Sequence, residues 1–324
     1  TKSISSNSNT ILQVPVDAVM TSNIFAGQGI GLTFLNHDSD NDAYGTFTIG
    51  SAGNANVFGA GLSTFIQLDA QTGTSTSSTF PTYPGTGGWP TTMDCWATNL
   101  DVQNNTFDVG AGQQAPQSMS AAERTALEGK LTHNPDVACL GTLQYFLPVK
   151  NVTQNTFYST IQSAINVAAI NDVIELAEWT FNELVTIDKS LTLKGSTSDK
   201  TKHVLNGTGL TLAALSGGIT INSGVTGVTI QNLTVQNFTG AGGNANAGIY
   251  GLLSNNNLTI ANVAMLNNPT ASGFYANGPV NNVSITNSMA VNNGGSARGI
   301  VIWNGMKSNI TITGNMVTNN SCCG

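Results

Sequence analysis

Residues 281–293 read NNVSITNSMAVNN. The stretch carries no charge and has asparagine at both ends, yet Val283 and Ile285 alternate with polar residues as in a half-buried strand. Related strings occur three more times without gaps: TGVTIQNLTVQNF from Thr226, NNLTIANVAMLNN from Asn256 and SNITITGNMVTNN from Ser308. Val228, Leu258, Val283 and Ile310 align, at successive steps of 30, 25 and 27 residues. Asn237, Asn267, Asn292 and Asn319 form one column; Asn232, Asn262 and Asn287 form another, which Gly314 interrupts.

A second, weaker string lies between these copies: AGIYG, SGFYANG and RGIVIWNG, aligned on Gly248, Gly273 and Gly299. Self-similarity at this period is the mark of a solenoid. Two or three short alternating runs per unit, divided by Gly and Asn, have a period near 2 and not the 3.6 of helical repeats. The leucine scaffold of leucine-rich repeats is missing. The expected fold is therefore all-β, a right-handed parallel β-helix in segments with short capping α-helices. Bends between its strands must satisfy their own backbone polar groups, and asparagine tolerates the left-handed conformation such bends require. Both asparagine columns read as a structural ladder of stacked amides. Valine, isoleucine, leucine and methionine fill the interior, with threonine and serine outside.

Two helices interrupt the strand pattern. SAAERTALEGKL opens on Ser120 with Glu123 three residues on, a capping box, and its apolar stripe is Ala122, Ala126, Leu127 and Leu131. STIQSAINVAA repeats the device with Ser159 and Gln162, its stripe being Ile161, Ile165 and Ala168. Ends of repeat arrays need distinct caps. Residues 1–118 thus read as the C-terminal turns of one β-helix with long loops, and 119–148 as its closing helix and strand. A linker follows at 149–158, and 159–324 reads as the cap helix and first turns of a second β-helix. In the first part Phe25 aligns with Phe58, and NNTF ending at Phe107 supplies a third copy. Gly324 falls where the next repeat is due, so the expectation is a window on a longer tandem array.

Charged residues make up only 8% of the 324, with a formal net charge of −7. Low charge with 40% hydrophobic residues points to a folded chain. The acidic balance leaves no basic patch for nucleic acid, and no run is long enough for a membrane span. All seventeen carboxylates lie at or before Asp199, and beyond Leu205 the only charged side chains are Arg298 and Lys307.

STIQSAINVAAINDVIELAEWTFNELVTIDKSLTLKGS, residues 159–196, resembles the opening of right-handed parallel β-helix repeat domains in large secreted surface proteins, above all the giant repetitive adhesins of Bacteroidota. ALEGKLTHNPDVACLGTLQYF, residues 126–146, is similar to the closing segment of such domains. The likeness covers most of 119–324; where that pattern has glycine this chain has Trp179. It implies an extracellular, cell-surface fibre whose partners are neighbouring repeats and surface glycans. The same fold hosts lyases, glycosidases and tailspikes, so it does not by itself define an activity.

Residue chemistry weighs against an enzyme. A glycoside hydrolase needs a carboxylate pair across the scissile bond, and the repeats beyond Leu205 have no carboxylate. Glu175, Glu178 and Glu183 near the second helix read as surface groups, and no catalytic residue is assigned. The alternative is a carbohydrate-active β-helix protein with its site in the acidic loops of 38–108 or on turns outside the sequence. Asp38, Asp40 and Asp42 alternate like the first half of a calcium loop, making calcium the one candidate cofactor. Ala43 and Ile49 stand where an EF-hand needs glycine and glutamate, so a plain acidic turn competes with that reading. Cys95 and Cys139 flank the first helix, either as a disulfide pair in an oxidising compartment or as buried thiols. Trp89, Tyr83 and Trp303 are the aromatics placed to stack on sugars.

Overall fold

A computed structural model describes residues 2–4, 10–12, 18–36, 47–70, 100–132, 143–240, 246–294 and 298–321. Strands dominate, with two short α-helices, α1 (Ala121–Glu128) and α2 (Ile161–Val167). The chain divides into two compact units, Thr1–Phe146 and Leu147–Gly324.

In the second unit each repeat gives one strand to each of three sheets. The first sheet holds Asp172–Leu176, Leu191–Gly195, Thr229–Gln231, Leu258–Ala261, Val280–Thr286 and Lys307–Thr313, all parallel. The second runs from Trp179–Phe181 through His203–Asn206, Thr234–Gln236, Ala264–Leu266 and Met289–Val291 to Met316–Thr318. The third comprises Val185–Ile187, Gly217–Ile221, Ala247–Gly251, Ser272–Asn277 and Ile300–Trp303. Every strand pairs with its counterpart in the next repeat, so sequence alignment and pairing register coincide: Leu258 faces Val283, which faces Ile310. Ile249, Phe274 and Ile300 likewise fall in one row of the third sheet.

That register stacks like on like. Ile174, Leu193, Ile230, Ile260 and Ile285 form one continuous interior column with no exposed surface. Full burial of one such side chain contributes roughly 1.5–3 kcal/mol. Ile312 continues the column on the edge strand and is 46% exposed.

Residues 149–158 are not a linker. Val149–Asn151 pairs antiparallel with both Thr156–Tyr158 and Asp172–Leu176, laying a hairpin along the free edge of the first parallel strand. Covering that edge removes a row of unpaired backbone groups, which is why polar-looking sequence adopts strand here. Helix α2 buries Ile161, Ala164 and Ile165 against the start of the same core, joined by Ala168 just past its end. Its capping box is Thr160 with Ser163, and not Ser159 with Gln162. Gln162 instead reaches the next repeat, where its Oε1 accepts from the Thr186 amide at 2.7 Å.

In the first unit, Ile24–Phe25, Val57–Phe58 and Thr106–Asp108 pair in parallel, bringing Phe25, Phe58 and Phe107 into register. Their rings stack at centroid distances of 4.7 and 5.0 Å. Gly29–Asn36, Leu62–Ala70 and Leu131–Thr132 make a second parallel sheet. Helix α1 has the Ser120–Glu123 capping box, but its buried face differs from the expected stripe. Ala122 and Ala126 are exposed, and Arg124 joins Leu127 inside. The Arg124 guanidinium donates to the Met119 carbonyl and sits 4.2 Å from the Phe146 ring centroid, which offsets its burial.

Candidate functional site: asparagine ladders and an outward hydroxyl column

All seven asparagines of the two columns have left-handed backbone: φ is 59° at Asn232, 53° at Asn262, 50° at Asn287, 61° at Asn237, 53° at Asn267, 58° at Asn292 and 53° at Asn319. Gly314, which interrupts the first column as a side chain, shares its conformation at φ 67°. The columns are therefore sites of backbone bending. Amide contacts along them join single pairs in successive repeats: Asn262 donates to Asn232 at 2.9 Å, Asn292 to Asn267 at 3.1 Å, and Asn237 to Asn206 at 3.0 Å.

A second ladder lies one residue further on and points inward. Asn268, Asn293 and Asn320 follow the left-handed Asn267, Asn292 and Asn319. Asn268 and Asn293 are fully buried. Oδ1 of Asn293 accepts from Nδ2 of Asn268 at 2.8 Å, while its own Nδ2 donates to the Asn320 side chain at 2.9 Å and the Met265 carbonyl at 3.1 Å. Asn320 closes onto the Ala290 carbonyl. In the preceding repeat the equivalent residue is Phe238, whose backbone N–H donates to Asn268 Oδ1 at 2.9 Å. The first unit has the same device: Asn23 donates to Asn56 and Asn56 to Asn105, each at 2.9 Å, beside the phenylalanine stack. Sequence reading stopped at the outer asparagines. The inner ones were signalled by the doublets at 267–268, 292–293 and 319–320 and by the aligned Asn-x-Phe triplets at 23–25, 56–58 and 105–107.

Outside, the first sheet carries Thr192, Thr229, Thr259, Ser284 and Thr311 in one row. Parallel pairing sets neighbouring hydroxyls about 4.7–4.9 Å apart. Carboxylates of the second unit are occupied elsewhere. Glu175 pairs with Lys194 and Glu178 with Lys202, both at 2.8 Å, and Asp188 lies 3.4 Å from Lys189. Asp199 accepts from Thr201. Oδ2 of Asp172 accepts from Asn151, Gln154 and the Ala169 N–H at 2.7, 2.6 and 2.8 Å. Glu183 accepts from the Ile161 and Gln162 N–H groups at the start of α2, at 2.8 and 3.0 Å.

His203 is buried, with Nδ1 2.9 Å from the Ala177 carbonyl and Nε2 3.0 Å from Thr197 Oγ1. A carbonyl only accepts, so Nδ1 carries the proton and Nε2 accepts from Thr197. Trp179 is its register partner on the neighbouring strand. Trp303 is 55% exposed at the end of its strand. Asp38, Asp40, Asp42, Cys95, Cys139, Tyr83 and Trp89 lie outside the described residues. Among the described residues no three His, Cys, Asp or Glu side chains converge as a metal site, and no helix is long and apolar enough to cross a membrane.

The two buried-end carboxylates titrate in opposite senses. Hydrogen bonding from Asn151, with lesser help from Ala169 and Gln154, holds Asp172 below the usual carboxylate range. Burial raises Glu183, against the pull of its two helix N–H donors. A lowered folded-state value means the unfolded chain binds the proton more readily, so the Asp172 contribution is present above about pH 4 and lost on acidification. For Glu183 the folded chain holds the proton more tightly, so its contribution is full in acid and falls as pH rises through that range. Urea titrations across acid pH should therefore show the penalty of Asp172→Asn growing with pH and that of Glu183→Gln shrinking. Parallel slopes for the two variants would contradict these environments.

Comparison with protein-family models, curated proteins and solved structures returned no match to this chain.

Proposed function

We propose that the chain is a non-catalytic structural and adhesive segment of an extracellular, repetitive cell-surface fibre, its sheets wound as right-handed parallel β-helix segments. The observation that carries this reading is the uncharged outward row of Thr192, Thr229, Thr259, Ser284 and Thr311, held in strict register. Each repeat satisfies its backbone through the next, so length is gained by adding repeats with no new core. Neutral hydroxyl and amide faces suit contact with surface glycans, and the six carboxylates between 159 and 199 have structural partners. Such a fibre needs neither a catalytic residue nor a resident cofactor.

Incubation with a panel of neutral and acidic polysaccharides tests this. The expected result is retention on one or more neutral glycans with no new reducing or unsaturated ends. New ends would overturn the reading in favour of a carbohydrate-active protein of the same architecture.

A further inference from the structure

One bend of the second unit is built differently from the others of its column. Between a first-sheet strand and the following second-sheet strand the bend takes two residues, as at 177–178, 232–233, 262–263 and 287–288. Between Leu191–Gly195 and His203–Asn206 the same bend carries STSDKTK, residues 196–202. This insert has a fixed shape. Lys200–Lys202 form a short 3-10 helix capped by Asp199, whose Oδ1 accepts from the Thr201 N–H at 3.1 Å and hydroxyl at 2.6 Å. At its base the buried His203 ring bonds Thr197 and the Ala177 carbonyl. Gly195 makes room for that ring, since a Cβ there would lie 2.2 Å from His203 Cδ2.

The insert reaches along the stack in both directions. Backward, Lys202 Nζ pairs with Glu178 at 2.8 Å. Forward, the Lys200 carbonyl accepts from Thr234 Oγ1 at 2.9 Å in the next repeat. One repeat further on, Asn262 Nδ2 donates to the Ser198 carbonyl at 2.7 Å, and its Oδ1 accepts from Lys200 Nζ at 2.9 Å. These last two bonds skip a repeat, crossing 64 and 62 residues. The asparagine ladders join neighbours instead, as Asn268 to Asn293 and Asn282 to Asn257, each 25 residues apart.

In a stack whose repeats contact only their neighbours, each interface opens on its own. We propose that 196–202 is a clamp that couples four successive repeats, those beginning at Asp172, Leu191, Thr229 and Leu258, into one block that opens together. Opening the repeat at Leu258 then breaks bonds to the repeat at Leu191 as well as to its own neighbours. The Glu178–Lys202 pair lies at the surface and contributes little by itself. The coupling resides in Ser198, Lys200 and Asn262. It involves no ligand, so it is independent of the adhesive reading.

Hydrogen exchange of the intact chain, followed by peptide mass spectrometry, tests the coupling with two glycine substitutions matched in backbone. Asn262 and Asn267 lie in the same repeat, both at φ 53°, and each bonds an asparagine of a neighbouring repeat. Of the two, only Asn262 touches the insert. Glycine keeps the left-handed bend at either position. Asn262→Gly should speed exchange about fivefold in 258–266 and also in 191–206, two repeats away. Asn267→Gly should leave 191–206 unchanged. Lys200→Met keeps the aliphatic stem without the ammonium. It should speed 191–206 and 258–266 together, and adding it to Asn262→Gly should bring no further increase in 258–266. Acceleration confined to 229–291 in Asn262→Gly, or equal acceleration of 191–206 by Asn267→Gly, would show that the insert couples nothing.

Discussion

Asn293→Ala should destabilise the second unit by roughly 2–5 kcal/mol, against about 1–2 kcal/mol for Asn292→Ala next to it. The two asparagines are adjacent and chemically identical, but they do different work. Asn292 is exposed and its value lies in a backbone at φ 58°. Alanine strains there, and glycine removes the strain, so Asn292→Gly should lie within about 0.5 kcal/mol of the parent. Asn293 has no exposed surface and joins three partners, the Asn268 and Asn320 side chains and the Met265 carbonyl. Removing it strands buried donors and acceptors, each at about 1–3 kcal/mol. Glycine gives no rescue at that position. Asn293→Asp should be worse still, since a carboxylate oxygen would face the Met265 carbonyl in a dry core. Hydrogen exchange on peptides covering 256–321, with urea unfolding, separates these effects from changes in the first unit. Equal losses at 292 and 293 would sink the distinction between outer and inner ladders.

Phe238→Ala should be comparably severe, about 3–5 kcal/mol, and the reason lies in two glycines. Phe238 takes the inner-ladder position of its repeat. Its ring fits because Gly207 and Gly218 lack side chains: a Cβ at Gly207 would lie 2.4 Å from ring carbon Cδ1, and one at Gly218 2.5 Å from Cε2. Gly218→Ala alone should therefore cost about 1–3 kcal/mol through overpacking. Combined with Phe238→Leu, the same glycine substitution should cost less than half as much, because the smaller side chain vacates the space. A double-mutant cycle measures that coupling directly. Strict additivity would mean that the ring and the glycine do not constrain one another.

These cases mark what could be read from the chain by itself. The repeat frame, the all-β class, the parallel register and the left-handed bends were legible, because each depends on local chemistry repeated at a fixed offset. The alternation of Val283 and Ile285 sets the strand faces, and the asparagine columns set the bends. In the first unit the Phe25, Phe58 and Phe107 alignment was legible for the same reason. Tertiary structure decided what a residue does once another repeat is beside it. It made a hairpin of 149–158, because the edge of Asp172–Leu176 had to be covered. It buried Arg124 where a helical stripe called for alanine, because the Phe146 ring and the Met119 carbonyl receive its guanidinium. It also divided each Asn-Asn doublet into one residue that bends the chain at the surface and one whose side chain turns inward to bond across repeats. No local pattern distinguishes Asn267 from Asn268, since each bonds to an asparagine 25 residues away and the difference is which of them the packing of the repeats buries.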